Sequence, residues 1–177
     1  MNESRIKNRV KFIIHSRNGF TFIELILYIS IVVIMLTAIV PFGWSTITSG
    51  VKSSVQQEVY SQARFVSEKL KQEIRNANGI NSVSAATIDL NTSTNSTTVI
   101  DINGGKIRIR YGAGGTPINL NSDDTNVTSL VFTNYSSADN KTKHIGFTLT
   151  ISSNYAGQRQ EYNETITLRG SAEVRNN

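Results

Sequence analysis

Apolar and polar positions follow three different patterns along the chain, one after another. From Leu25 to Val51 no residue is charged, and the run is dominated by Ile, Val, Leu and other apolar residues. At about 1.5 Å rise per residue, a helix from Phe20 to Val40 covers roughly 30 Å, the thickness of a bilayer's hydrocarbon core. Then the period changes. Val51, Val55, Val59, Ala63, Val66, Leu70, Ile74 and Ala77 recur at steps of three or four, one apolar stripe on an amphipathic helix. Lys52, Gln56, Glu58, Gln62, Glu68, Lys69, Gln72, Glu73 and Arg75 occupy the other faces, with Glu68–Gln72 and Lys69–Glu73 as one-turn pairs. Asn78-Gly79 predicts the end of the helix, with Gly79 free to take the left-handed conformation.

Beyond Gly79 the alternation is that of strands. Thr87–Leu90 reads as the first, followed by a Thr/Ser/Asn loop over 91–97. Val99–Ile102 and Ile107–Tyr111 flank Asn103-Gly104-Gly105-Lys106, a hairpin in which Ile102 faces Ile107, Ile100 faces Ile109 and Asp101 lies opposite Arg108. Pro117–Leu120 reads as a short strand and 121–126 as an acidic loop. Thr128–Tyr135, Ile145–Ile151 and Tyr162–Leu168 read as strands, and the tail after Gly170 as an edge segment or a loose end. The fold class expected is α+β: one long N-terminal helix, membrane-spanning in its first half and amphipathic in its second, on an antiparallel β-rich head. The divisions are 1–19, a basic leader; 20–50, the apolar half of the helix; 51–79, its amphipathic half; and 80–177, the head.

Between Leu25 and the head, Pro41 breaks the ladder of backbone hydrogen bonds, and Gly43 and Gly50 are poor helix formers. Either the helix ends there or it continues with a kink, and the kink is the favoured outcome because a long helix can accommodate proline. One ionisable side chain, Glu24, heads the apolar run. A carboxylate there costs free energy in a membrane, so Glu24 is a candidate functional residue, set against a plain membrane anchor in which it is incidental.

Charge changes the picture in one place. The net charge of +5 over 177 residues is concentrated before Phe20, where Arg5, Lys7, Arg9, Lys11 and Arg17 stand against Glu3 alone. The rest of the chain holds 13 basic and 12 acidic residues, so its balance gives no reason to expect a nucleic-acid partner. A basic leader before an apolar span stays on the cytoplasmic side. An ordinary secretory signal would need small residues at a cleavage site after the apolar run, and Pro41-Phe42-Gly43-Trp44 does not provide one. There is no cysteine, so the head must hold together through its core.

Gly19, Phe20, Thr21, Ile23, Glu24 and Leu25, set between a basic leader and an uncharged span, resemble the class III signal of type IV prepilins and pseudopilins. The sequence departs from the family in Phe22, where leucine is usual. Glu73–Ala77 followed by Gly79-Ile80 resembles the helix end of J-type minor pseudopilins and W-type minor pilins, and Pro41 resembles a proline that type IV pilins often carry at this distance. The resemblance implies a pilin-like fold. It also implies that a prepilin peptidase cuts between Gly19 and Phe20 and methylates the new amine of Phe20. Glu24 would then pair with that amine or with a neighbour's during assembly. The implied partners are other pilin or pseudopilin subunits, an inner-membrane assembly platform and, before assembly, membrane lipid. The implied location is a single pass of the cytoplasmic membrane with the head outside, then a surface or periplasmic filament. No cofactor, catalytic residue or metal ligand is implied.

Other chemistry is sparse. His144 could seed a Ser-His-Asp arrangement, but a half-exposed strand histidine explains it more simply. Ser122-Asp123-Asp124-Thr125-Asn126 offers oxygen atoms to a cation such as calcium, yet two adjacent carboxylates in a loop read first as a solvated turn. The competing function is a membrane-anchored binding module whose β-rich head recognises a ligand, DNA or a surface. Processing separates the two, because a peptidase that cuts after Gly19 must admit the backbone closely. Gly19→Val is expected to leave a precursor that keeps its basic leader, read as the mass of the N-terminal peptide. A mature terminus at Phe20 in that variant would refute the assignment.

Overall fold

In the computed structural model the described residues are 19–139, 141–155 and 159–175. The leader expected over 1–19 therefore lies, except for Gly19, outside the described residues. The order of elements is α1 (Phe22–Asn76), β1 (Gly79–Val83), β2 (Ile88–Asn91), β3 (Thr98–Asn103), β4 (Lys106–Tyr111), β5 (Ile118–Asn119), β6 (Thr125–Asn134), β7 (His144–Ser153), a 3-10 turn (Gln160–Tyr162) and β8 (Thr165–Glu173). The expected α+β layout, with one long N-terminal helix and antiparallel strands, is what the chain adopts. α1 does not stop at Pro41 but runs on through it. The chain divides into two units at Trp44 and Ser45, and each is described separately.

The head, from Ser45 onward, is built on the apolar stripe of α1. Val55, Val59, Ala63, Val66, Leu70 and Ile74 are buried, and Ala77 follows them into the core just past the helix end. They join the inward faces of two antiparallel sheets, one of order β1-β2-β3-β4-β5 and the other β6-β7-β8. In β7 the clean alternation puts Ile145, Phe147, Leu149 and Ile151 on the core side. The β3–β4 hairpin has the register read from its pattern: Ile102 opposite Ile107, Ile100 opposite Ile109, Asp101 opposite Arg108. Arg108 donates to both carboxylate oxygens of Asp101 at 2.8 Å. Gly104 and Gly105 both have positive φ, 57° and 74°, as a two-residue turn of this hand requires. Any side chain on Gly105 would collide with Asn126.

The two sheets are joined through the turns of the first. The amide of Val127 donates to Gly105 O and that of Phe132 to Ala85 O, both at 2.9 Å. The two hairpin turns thus meet the edge of β6 that β7 leaves open, and an exposed ladder edge is closed.

Several boundaries differ from expectation. The helix ends at Asn76 rather than at Asn78-Gly79, and Gly79 is not left-handed. It opens β1, and the amide of Asn78 already bonds to Asn91 O at 2.8 Å. Pairing with β2 wins over a capping turn because it satisfies the backbone across a whole strand. Thr87–Leu90 is accordingly the second strand, not the first. The last strand begins at Thr165 rather than Tyr162, which lies in the 3-10 turn, and it extends through Gly170 to Glu173. Gly170 is tolerated mid-strand because the Phe147 ring occupies the space where a Cβ would stand.

Of the two helix pairs, Lys69–Glu73 forms at 2.7 Å, whereas Glu68 takes Lys71 at 2.9 Å instead of Gln72. Glu73 is more than a surface partner. It is 7% exposed, and the same oxygen accepts the Tyr111 hydroxyl at 2.8 Å, tying the helix to β4. The Glu73 carboxylate beside Lys69 raises the ammonium's pKa. Burial raises that of the Tyr111 phenol, with the Glu73 bond adding to it.

Both shifted groups hold their protons more tightly folded than unfolded, so the folded state binds more protons once the unfolded chain begins to lose them. Stability from this cluster is complete at neutral pH and is lost as pH rises past about 10 through the raised values. For the whole chain in detergent, the denaturation midpoint is expected to fall above that pH. Glu73→Leu should flatten the fall and cost on the order of 1–3 kcal/mol at pH 8, where Tyr111 and Lys69 lose a shared acceptor. A separate test of the core is Leu70→Asp, which sets an unpaired charge at a site with no solvent exposure. It is expected to abolish the cooperative transition of the head.

Candidate functional site

The candidate site is the start of the apolar helix. Thr21 stands immediately before α1, and its hydroxyl accepts the amide of Glu24 at 3.4 Å, while Leu25 N bonds to Thr21 O at 3.1 Å. Thr21 is thus the N-cap and Glu24 the third helical residue, the Thr-x-x-Glu spacing of a capping box. The helix's first-turn amides carry partial positive charge, which favours a carboxylate there. Phe20 lies one residue outside the cap and is exposed, as is Glu24.

Around and after Glu24 the helix surface is apolar and exposed. Phe22 is 80% exposed, and Ile23, Leu27, Tyr28, Ile34, Leu36 and Val40 are all exposed. The helix is long and apolar enough to cross a membrane by length and composition. Two of its hydroxyls bond within the helix: Ser30 donates to Ile26 O at 2.8 Å and Thr37 to Ile34 O at 2.7 Å. An apolar solvent therefore meets no unpaired hydroxyl at these positions. Pro41 and Gly43 both lie inside the helix. Proline has no amide to donate, so the ladder lacks one rung at Pro41.

In the head, the other residues singled out take structural positions. Around the acidic loop, Lys106 Nζ donates to the carbonyls of Ser122 and Thr125 and pairs with Asp123 at 3.1 Å. The ammonium thus fills the space among the oxygens that a cation would use. The buried Asn121 braces the same turn: it accepts the amide of Ile107 at 2.9 Å and donates to Thr125 O at 3.0 Å. Among the described residues no three His, Cys, Asp or Glu side chains gather in a metal-binding group. His144 opens β7, half-exposed, with its ring beside Tyr135 at 6.3 Å between centroids.

The sequence reading placed Glu24 in the first helical turn but passed over Thr21 as a capping residue. The signal was present in Thr21-Phe22-Ile23-Glu24. It also passed over Glu73 as a buried acceptor, because Glu73 lies on the flank of the apolar stripe and reads as a surface charge. Compared with known proteins, the chain matches no family model, no curated protein and no solved structure.

Proposed function

We propose that this chain is a subunit, of the minor pilin or pseudopilin kind, of a type IV pilus or a type II secretion-like filament. It is held in the membrane and then in the filament by its apolar N-terminal helix. The observation that carries this reading is the exposed apolar helix with one carboxylate, Glu24, in its Thr21-capped first turn, four residues after Phe20. An exposed apolar surface of this size needs a partner, and a plain anchor gains nothing from a carboxylate at its head.

In this reading a prepilin peptidase cuts between Gly19 and Phe20 and methylates the Phe20 amine. The freed amine is positive. Within a dry bundle of such helices, Glu24 pairs with the amine of its own or a neighbouring subunit, and a subunit lacking either charge strands the other. The helix surface that the head leaves open supports the same reading, since Tyr60 and Phe65 are 52% and 55% exposed on α1 away from the buried stripe. They offer neighbouring subunits a further aromatic contact on the head itself.

Glu24→Val is expected to insert into the membrane at least as well as wild type, because it removes a charge from an apolar span. Cleavage should also persist. Incorporation should fail: stranding one member of a buried pair costs about 3–5 kcal/mol, and each 1.4 kcal/mol is tenfold. Tagged wild type and variant are expressed together at equal membrane levels, filaments are sheared, and recovery is compared. Wild type should exceed the variant by a factor of about a hundred or more. Equal recovery would refute the assembly role of Glu24 and favour the anchored binding module.

A further inference from the structure

The head is nearly neutral as a whole, but its charges are sorted by end. One end of the β6-β7-β8 sheet is formed by Thr125, Ser153 and Thr165, and the other by Asn134, His144 and Glu173. With ten residues in β7, the ends stand roughly 30 Å apart. At the first end lie Asp123, Asp124, Glu161 and Glu164, joined by Glu58 from the helix, whose carboxylate accepts the Ser122 hydroxyl at 3.5 Å. The cations there, Lys106 and Arg159, pair with Asp123 and Glu161. Asp124 raises the pKa of the nearby Tyr155 hydroxyl, with Glu58 adding to it, as a locally negative potential requires.

The other end is basic and grooved. Two adjoining grooves of about 570 and 620 Å³ share Arg75, His144 and Ser171. Lys71 lines the first, which runs from the His144 end to Arg169, midway along β8 opposite Thr148; Lys141 and Arg175 line the second. Lys143 lies beside them, its carbonyl accepting the Val174 amide at 2.9 Å. Of the acids at this end, Glu68 and Asp139 pair with Lys71 and Lys141, and Glu173 remains. Among the described residues Arg75, Lys143, Arg169 and Arg175 form no ion pair within the head. The helix dipole accounts for Arg75 in the last turn. It does not account for cations delivered to the same place by β8 and by the loop before β7.

We propose that the two ends of the head are complementary docking surfaces, the acidic end of one copy seating against the basic grooves of the next. The inference rests on the filament reading. Copies inserted by the same N-terminal segment enter the membrane in one sense, so neighbours are related by rotation and translation, not by a two-fold axis that would set like ends together. A heterologous contact of this kind repeats without closing and builds a filament. Such surface charges are screened beyond about 8 Å at physiological salt. They therefore set register and partner choice rather than supply bulk adhesion.

The chain has no cysteine of its own, which makes a thiol test clean. Full-length Asp124→Cys and Arg175→Cys copies are expressed separately and together and treated in membranes and in sheared filaments with a short bifunctional thiol reagent. A dimer-sized adduct is expected from the mixed cells, about tenfold above either variant alone. No mixed adduct, or as much from one variant alone, overturns the proposal. An adduct of another mass assigns the surface to a different subunit and overturns the self-contact as well.

A charge exchange removes any dependence on thiol geometry. Asp123→Lys with Asp124→Lys, and separately Arg169→Glu with Arg175→Glu, should each lower filament recovery about fivefold or more. All four together, with the ends exchanged, should restore it to within about twofold. No recovery in the four-fold variant overturns the proposal. Mixed adducts in membranes without any filament would retain the end-to-end contact and refute the filament reading. Abundant filaments without mixed adducts would do the reverse.

Discussion

From Leu25 to Val51 the chain offers no charge to water, and the helix formed there is exposed over most of that stretch. Burial of apolar surface stabilises by roughly 25 cal/mol per Å², so this surface dictates its own surroundings: lipid, other apolar helices, or both in turn. The rest of the chain is compatible with either. The Ser30 and Thr37 hydroxyls turn back on carbonyls of their own helix, and Thr21 caps the first turn by accepting the Glu24 amide. The one carboxyl group, Glu24, sits in the first turn, where the helix dipole favours negative charge.

Such a helix would associate without discrimination unless the head were independently stable. With no disulfide available, the head relies on the stripe of α1 to organise two sheets at once. Each sheet contributes its apolar face to the one core that the helix stripe shares. The edge of β6 is closed by the turns at Ala85 and Gly105. The buried Glu73 adds direction to the apolar contact. It resists rotation of the helix against β4 by accepting the Tyr111 hydroxyl, while Lys69 one turn back on the same helix holds the carboxylate in place. A hydrophobic stripe alone tolerates small rotations, whereas a buried carboxylate with two donors does not.

What was legible in the sequence follows from how local each signal is. The helix stripe and the β3–β4 register are set by residues within a few positions of one another, and both appear as read. β1 was not legible. Gly79-Ile80-Asn81-Ser82-Val83 has no clean alternation, and it is a strand only because β2 lies beside it. The division into two sheets was hidden for the same reason, since it depends on contacts between turns and a distant strand. Glu73 read as a surface charge because nothing in its neighbourhood announces Tyr111, 38 residues away. At the N-terminal site, Glu24 stood out by its isolation, whereas Thr21 was missed because one residue can serve both a capping box and a larger motif.

Apolar contact and charge have different ranges and different selectivity, and this chain separates them along its length. The uncharged helix can be buried by any apolar neighbour at almost any register. A single carboxylate at its head restricts which axial offsets avoid a stranded charge, because ionic partners in a dry environment must meet within a few ångströms. The head's exposed charges act in water, where each pair is weak and salt-screened. They can discriminate between offsets that the helix finds nearly equal, but they cannot hold copies together by themselves. In the proposed assembly, adhesion comes from the helix, the allowed offsets from Glu24, and the choice among them from the ends of the head. A subunit with a strong helix and mismatched ends would stick but not repeat. One with matched ends and a polar helix would not stay.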